Sequence, residues 1–122
     1  QGHTLVEFND GAVLLGWTGD NGDPDNFLAV LLGCNAEGKP NGNNIPKWCN
    51  AEFQGVVNKA AEISDQAERA KLYKRAQEIV AAEVPWVNIA HSTVFEPIRK
   101  SVTGYKVSPL GSHEFQNVDI TE

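Results

Sequence analysis

The strongest structural signal in this sequence is a long amphipathic helix that ends at a proline. Asp65 and Glu68 have the spacing of a capping box, in which a side chain accepts a hydrogen bond from the first helical turn. Pro85 ends the helix by about residue 83, because the residue before a proline avoids helical backbone angles. The apolar side chains between these points form one stripe, which packs into a core: Leu72, Tyr73, Ala76, Ile79 and Val80.

The remaining segments predict a mixed α/β chain. Residues 51–63 form a second helix, with apolar positions at helical spacing, and residues 27–33 are either a short helix or a strand. Residues 35–47 are rich in asparagine, glycine and proline, which is typical of an exposed loop. Strands are predicted at AVLLGW (12–17), WVNIAHSTVF (86–95) and VTGYKVSP (102–109).

Length and charge narrow the class of protein. The 122 residues are enough for one ordinary domain with a core of its own. A formal net charge of −6 argues against nucleic acid or an anionic membrane as the main partner, because both attract basic surfaces. The longest apolar run, FLAVLLGC, is too short to cross a bilayer. The start, QGHTLVEFNDG, lacks the features of a signal peptide, as expected of a mature chain or an internal fragment.

The stretch GWTGDNGDPDNF (16–27) places three aspartates within six residues. Asp23 and Asp25 lie in the sequence Asp-Pro-Asp-Asn, which strongly favours a turn. Asp25 or Asn26 is a candidate cap for a helix that begins at Phe27. Asp20 is different, since it follows a predicted buried strand, and loops at the carboxyl ends of strands are where α/β folds bind ligands. An aspartate in that place can pair with an ammonium group.

Two other uses of the acidic stretch are weaker. An EF-hand loop needs a glutamate at position 12, but that position is Leu32 counted from Asn21 and Leu31 counted from Asp20. Two carboxylates of the stretch can also act as acid and base in a hydrolase, for example a glycosidase. Nothing in the sequence sets their separation. The histidines have neither metal-ligand spacing nor a paired nucleophile: His3, His91 and His113.

Cys34 and Cys49 leave two interpretations open. A disulfide would close a loop of about 15 residues, for which loop entropy predicts about 3 kcal/mol of stabilisation. The alternative is a pair of buried free thiols. The polar, turn-rich segment between them favours the disulfide, which would indicate an oxidising compartment.

Several motifs, in order, resemble one family. GWTGDNGDPDNF, the cysteine pair with KWC, ERAKLYKRAQEIVAAEVPW and IAHSTVFEPIRKSVTGYKVSPLG closely resemble the C-terminal part of periplasmic dipeptide-binding proteins. These are the extracytoplasmic solute-binding proteins of family 5, the substrate-binding subunits of ABC peptide importers. The resemblance implies an α/β fold of the class II, Venus-flytrap type, with a mixed sheet and flanking helices.

The resemblance also assigns roles to residues. It implies that Asp20 binds the free α-ammonium of a dipeptide or short peptide, and that Trp17, Thr18 and Gly19 line the pocket. It implies a Cys34–Cys49 disulfide, a periplasmic location, membrane permease subunits as partners, no cofactor and no catalysis.

One departure qualifies these expectations. Family members are several times longer, so residues 1–122 are expected to be a single partial domain: a C-terminal fragment of the second lobe plus the tail that returns toward the first. Such a fragment lacks a complete cleft and the upstream arginine that holds the ligand carboxylate.

Three alternative functions remain: a haem-binding protein, a binder of another peptide-like ligand (oligopeptide or glutathione), or a structural fragment with no ligand. The basic patch of Lys71, Lys74 and Arg75 is then either a protein-contact face or a solvated helix face.

Overall fold

The computed structural model describes residues 11–121, so His3 and the N-terminal segment considered above lie outside the described residues. The described chain forms two compact units that divide between Val87 and Asn88. The first unit contains helices α1 (Asp25–Leu32), α2 (Ala51–Glu62) and α3 (Gln66–Glu83). The second contains strands β1 (Val102–Thr103) and β2 (Asp119–Ile120).

Helix α3 begins and ends where the sequence predicts. The Asp65 side chain accepts a hydrogen bond of 2.8 Å from the backbone N–H of Glu68. Only half of the capping box forms, since the Glu68 carboxylate pairs with Lys71 at 2.7 Å. The helix ends at Glu83, and Val84 caps it in the left-handed region, with its N–H bonded to the carbonyl of Val80 at 2.8 Å. The signals in this segment are local, which explains why they predict the helix well.

Helix α2 matches its predicted range, and the ambiguous segment before the cysteines is helix α1. Asn50 caps α2 by accepting a hydrogen bond from Phe53 N–H at 2.9 Å. The predicted cap of α1 by Asp25 or Asn26 is wrong. That helix begins at Asp25, after Pro24, which makes no side-chain capping bond. The carboxylate of Asp23 instead accepts the N–H of Asp25 at 3.0 Å, so the capping group lies farther upstream than predicted.

The three helices enclose the core of the first unit. Phe53 is fully buried on α2, and the Trp48 ring packs edge-on against it, with ring centroids 5.0 Å apart. The predicted stripe of α3 faces this core, with Leu72 at its margin. The buried apolar side chains are Leu28, Leu32, Phe53, Val57, Ala60, Tyr73, Ala76, Ile79 and Val80.

The segment between α1 and α2 is held by a disulfide and a buried amide. Cys34 and Cys49 are bonded, with their Cα atoms 5.9 Å apart, which confirms the predicted disulfide. Asn44 lies in the predicted exposed loop but is only 3% exposed. Its amide donates to the carbonyls of Gly33 at 3.1 Å and Trp48 at 2.7 Å. These bonds satisfy buried backbone acceptors, so this asparagine organises the loop from inside.

The predicted strands are mostly wrong. Residues 12–17 and 86–95 form no strand in the described part of the chain, and of 102–109 only Val102 and Thr103 join a ladder. That ladder is antiparallel and pairs Val102 with Ile120 and Thr103 with Asp119. A strand needs a hydrogen-bonded neighbour, and the extended segments have none among residues 11–121. Their apolar side chains are exposed as a result: Leu14 77%, Ile89 74% and Phe95 84%.

The second unit also contains a small aromatic stack near its strands. The Tyr105 ring lies 5.9 Å from that of Phe115 and 6.5 Å from that of His113, measured between centroids. The Tyr105 hydroxyl and His113 Nδ1 are 2.9 Å apart and share a hydrogen bond. Over the described range, no helix is both long and apolar enough to span a bilayer.

Candidate functional site

The stretch from Trp17 to Asp20 is held against the first turn of α1. The Trp17 indole donates from Nε1 to the main-chain carbonyl of Asn26 at 2.9 Å. Gly19 is buried, and a Cβ atom built on it would lie 2.7 Å from Cε2 of Phe27. A larger residue at position 19 would therefore push the Phe27 ring aside. This close approach is the reason for glycine between Thr18, which is exposed, and Asp20.

Asp20 is exposed, and its orientation is set by one neighbour. Its backbone N–H donates to Oδ1 of Asn26 at 3.0 Å. Nδ2 of Asn26 donates in turn to Oδ2 of Asp20 at 3.3 Å. Within residues 11–121 the other carboxylate oxygen, Oδ1, has no hydrogen-bond partner, and Asp20 forms no ion pair. An anionic oxygen that is oriented but unpaired suits a cationic group of a ligand.

Asp23 has a structural partner on α3. Arg69 Nη2 donates to both of its carboxylate oxygens, at 3.0 Å and 2.7 Å, and the Tyr73 hydroxyl donates at 3.3 Å. Arg69 is itself fixed by a 3.0 Å bond from Nε to the carbonyl of Ala60. This network ties the acidic loop to α2 and α3, and it agrees with the interpretation of Asp23 as a residue that shapes the turn.

Sequence reasoning missed Arg69 as the partner of Asp23. A signal was present, since Arg69 lies four residues before Tyr73 and so shares the side of α3 that carries the apolar stripe. A charged side chain on an apolar face usually has a buried or half-buried partner. The 46 residues between Arg69 and Asp23 leave the choice of partner to the tertiary structure.

The pKa values in this network follow from its hydrogen bonds. The backbone N–H of Asp25 and then the Arg69 guanidinium hold the pKa of Asp23 below its ordinary value of 3.8. The Asp23 carboxylate raises the pKa of Arg69, and burial raises the pKa of Tyr73. At neutral pH the aspartate and arginine are both charged, so the ion pair is intact.

We expect the contribution of Asp23 to stability to disappear in acid. Its folded-state pKa is depressed, so its stabilisation is fully present above about pH 4 and is lost as the pH falls through the folded value. Asp23→Asn should lower the free energy of unfolding by about 1–2 kcal/mol at pH 7, and the difference from the original chain should shrink below pH 4. Urea denaturation from pH 2.5 to 7 measures this. In an Arg69→Gln background the pH-dependent part should be smaller; a difference that stays constant down to pH 2.5 would contradict the assignment.

The geometry gives little support to the metal and hydrolase alternatives. Among residues 11–121, no group of three or more histidine, cysteine, aspartate and glutamate side chains is placed to hold a metal ion. The Asp23 carboxylate is engaged by Arg69, and Asp25 belongs to the first turn of α1. His113 bonds to Tyr105, outside the acidic loop.

The basic patch on α3 is largely paired. Arg75 contacts Glu52 at 2.6 Å and Glu78 at 3.4 Å, and the pKa of Arg75 is raised chiefly by Glu52. Lys71 contacts Glu68, while Lys74 is exposed. These pairs favour a solvated helix face over a protein-contact face.

The chain is similar to known binding proteins over most of its length. The dipeptide-binding protein of Pseudomonas aeruginosa is 52% identical over 107 residues, which are 88% of this chain and 20% of that protein. Heme-binding protein A of Haemophilus influenzae is 45% identical over 109 residues, 89% of this chain and 19% of that one. No protein-family model matches the chain.

A solved structure supports the same relationship. It is the crystal structure of a dipeptide-binding protein from a Pseudoalteromonas species in complex with Met-Leu. It is 34% identical, with a TM-score of 0.82 over 96% of this chain and 23% of its own. The match confirms the predicted fold class, part of a periplasmic binding protein of the α/β type. This chain spans about one fifth of the length of the curated relatives that it matches.

The comparisons do not test the roles of Trp17, Thr18, Gly19 and Asp20, which stay predictions. The relatives named here are binding proteins, and none is named as an enzyme. With about half of its residues identical over most of its length, this chain is homologous to about one fifth of the dipeptide-binding protein of Pseudomonas aeruginosa.

Proposed function

We propose that the full-length protein containing this chain is the periplasmic substrate-binding subunit of an ABC importer for dipeptides and short peptides. It delivers the peptide to membrane permease subunits and performs no chemistry on it. The observation that carries this proposal is Asp20, whose carboxylate is exposed, oriented by Asn26 and free of any ion pair within residues 11–121. The homology to dipeptide-binding proteins supports the same ligand class.

Asp20 recognises the N-terminal ammonium of the peptide. A carboxylate and an ammonium in a closed cleft form a charge-assisted hydrogen bond, which is stronger there than in open water. A peptide with a blocked N-terminus would leave the carboxylate without its partner, so the site rejects it. Trp17, with 42% of its surface exposed, supplies an aromatic wall, and Thr18 and Gly19 bring main-chain groups close to the ligand.

Residues 1–122 form a single partial domain of this larger protein, part of its second lobe together with the tail that returns toward the first. The exposed apolar side chains of the extended segments 12–15 and 87–98 support this, since they resemble strands that lack their neighbours. The rest of the protein supplies those neighbours, the opposite wall of the cleft and a cationic group for the peptide carboxylate. The isolated chain therefore binds peptide weakly or not at all.

Calorimetry with the full-length protein tests the proposal. Met-Leu should bind at micromolar affinity or better, and N-acetyl-Met-Leu at least 100-fold more weakly, roughly the effect of leaving one buried charge unpaired. The isolated 122 residues serve as the control with an incomplete cleft. Equal affinity for the two peptides would overturn the role of the ammonium, and mass spectrometry that finds the bound peptide cleaved would favour the hydrolase instead.

Haem is the second candidate ligand, because one relative of comparable similarity is named as a heme-binding protein. Among the described residues, His91 and His113 lie outside the acidic loop that carries Asp20, so the loop itself offers no axial ligand. Competition between haem and Met-Leu for the full-length protein, followed by thermal shift, distinguishes the two ligands.

A further inference from the structure

We propose that Asn26 is the residue that positions Asp20 for the peptide ammonium, and that it thereby sets the preference for free N-termini. The inference rests on the proposed function and extends it to a residue outside the WTGD motif. Asn26 is a positioning residue, since it acts on the ligand through Asp20.

Three hydrogen bonds from the candidate site converge on Asn26. Its main-chain carbonyl accepts the Trp17 indole at 2.9 Å. Its side-chain oxygen accepts the N–H of Asp20, and its side-chain nitrogen donates to Oδ2 of Asp20. An amide is the group that fits here, because it offers one acceptor and one donor to a residue that presents one donor and one acceptor. Asn26 therefore holds both the Trp17 indole and the Asp20 carboxylate in place.

Asn26 is itself held by a rigid element. It lies in the first turn of α1, half-buried, and its N–H bonds to the carbonyl of Asp23 at 3.1 Å. The same helix places Leu28 and Leu32 in the core. A side chain fixed on a packed helix positions its neighbours more accurately than one on a free loop. Asp20 therefore meets the ligand already oriented, which reduces the conformational entropy lost on binding.

The two carboxylate oxygens of Asp20 have different surroundings. The Asn26 amide takes Oδ2, while Oδ1 has no hydrogen-bond partner in the range 11–121. Because the amide is neutral, it orients the carboxylate without cancelling its charge, as an arginine or lysine would. The carboxylate therefore keeps its negative charge. Oδ2 is held in place by the Asn26 amide, and Oδ1 is available to accept a hydrogen bond from an ammonium group.

A double-mutant cycle in the full-length protein tests this. Asn26→Ala, Asp20→Asn and the double variant are titrated with Met-Leu and N-acetyl-Met-Leu by calorimetry. We expect Asn26→Ala to weaken Met-Leu binding about tenfold, the effect of losing a hydrogen bond to a charged group. The double variant should bind Met-Leu within twofold of Asp20→Asn alone, because without the Asp20 carboxylate the Asn26 side chain has no charged group to orient. Alanine is the best helix former, so the change should not unfold α1.

Asn21→Ala is the matched control. Asn21 is the same residue type in the same loop, but its side chain accepts the N–H of Asp23 at 3.0 Å, and no hydrogen bond joins it to Asp20 in the described structure. Its loss should change Met-Leu affinity less than twofold. Should Asn26→Ala fail to fold, Asn26→Leu keeps the size of the side chain and removes both hydrogen bonds.

The outcomes separate this inference from the proposed function. A full-length protein that does not bind Met-Leu overturns the proposed function, and the inference with it. Unchanged affinity in Asp20→Asn overturns the proposed role of Asp20, and the inference with it, but leaves peptide binding standing. A large loss in Asp20→Asn beside wild-type affinity in Asn26→Ala overturns the inference alone. So does a double variant in which the two losses multiply, because Asn26 would then act independently of Asp20.

Discussion

Replacing Asp20 with asparagine in the full-length protein is expected to weaken the binding of Met-Leu by roughly 100-fold. The substitution keeps the size of the side chain and removes its charge. Under the proposed role of Asp20, the peptide ammonium then loses its anionic partner, and a closed cleft admits little water to replace it. Binding of N-acetyl-Met-Leu should hardly change, since that peptide has no ammonium to lose. Calorimetry on the two proteins with both peptides measures the ratio.

Asp25→Asn is the matched control for this prediction. It makes the same chemical change five residues further along the chain, in the first turn of α1. Within residues 11–121 the hydrogen bonds of Asp20 go to Asn26 and none goes to Asp25. Met-Leu affinity should stay within threefold. Equal losses in the two variants would mean that the loop acts by its total negative charge, and would contradict a specific role of Asp20.

Phe53→Ala is expected to destabilise the chain by about 3–5 kcal/mol, the range for removing a fully buried aromatic side chain. Phe53 has no exposed surface and packs against the Trp48 ring, where the disulfide-linked segment meets α2. The cavity left behind cannot collapse easily, because the disulfide and the Asn44 hydrogen bonds hold the backbone beside it. Denaturant unfolding of the 122-residue chain, followed by tryptophan fluorescence and circular dichroism, measures the loss.

The same substitution at Phe95 is the control, because that side chain is 84% exposed. Its effect on the free energy of unfolding should lie within about 0.5 kcal/mol of zero. A loss below 1 kcal/mol at Phe53 would show that the three helices do not form the packed core described here.

The acidic loop shows how far sequence reasoning reaches toward the site. The sequence predicts a ligand-binding role for Asp20 from its place after a predicted strand, and it predicts a turn-forming role for Asp23 and Asp25. The structure gives Asp23 such a structural role, through its ion pair with Arg69. Neither the Arg69 partner nor the convergence on Asn26 is visible in the sequence. The first depends on where α3 lies relative to the acidic loop, 46 residues away, and the second on how the stretch from Trp17 to Asp20 folds against the first turn of α1, six residues from Asp20.

The sequence by itself determined helices α2 and α3, because caps, apolar stripes and Pro85 act within a few residues of one another. It left residues 27–33 open between helix and strand, and the structure made nearly all of that segment part of α1. The sequence also favoured the Cys34–Cys49 disulfide, through the turn-rich loop and the family resemblance. Only the tertiary structure decided which extended segments become strands. A β-strand is completed by a partner elsewhere in the chain, and Val102–Thr103 has one in Asp119–Ile120 while residues 12–17 and 86–95 have none within residues 11–121. Asn44 and Asn26 are the same kind of case, since an amide acquires a structural role only when packing brings it to the groups that it bonds.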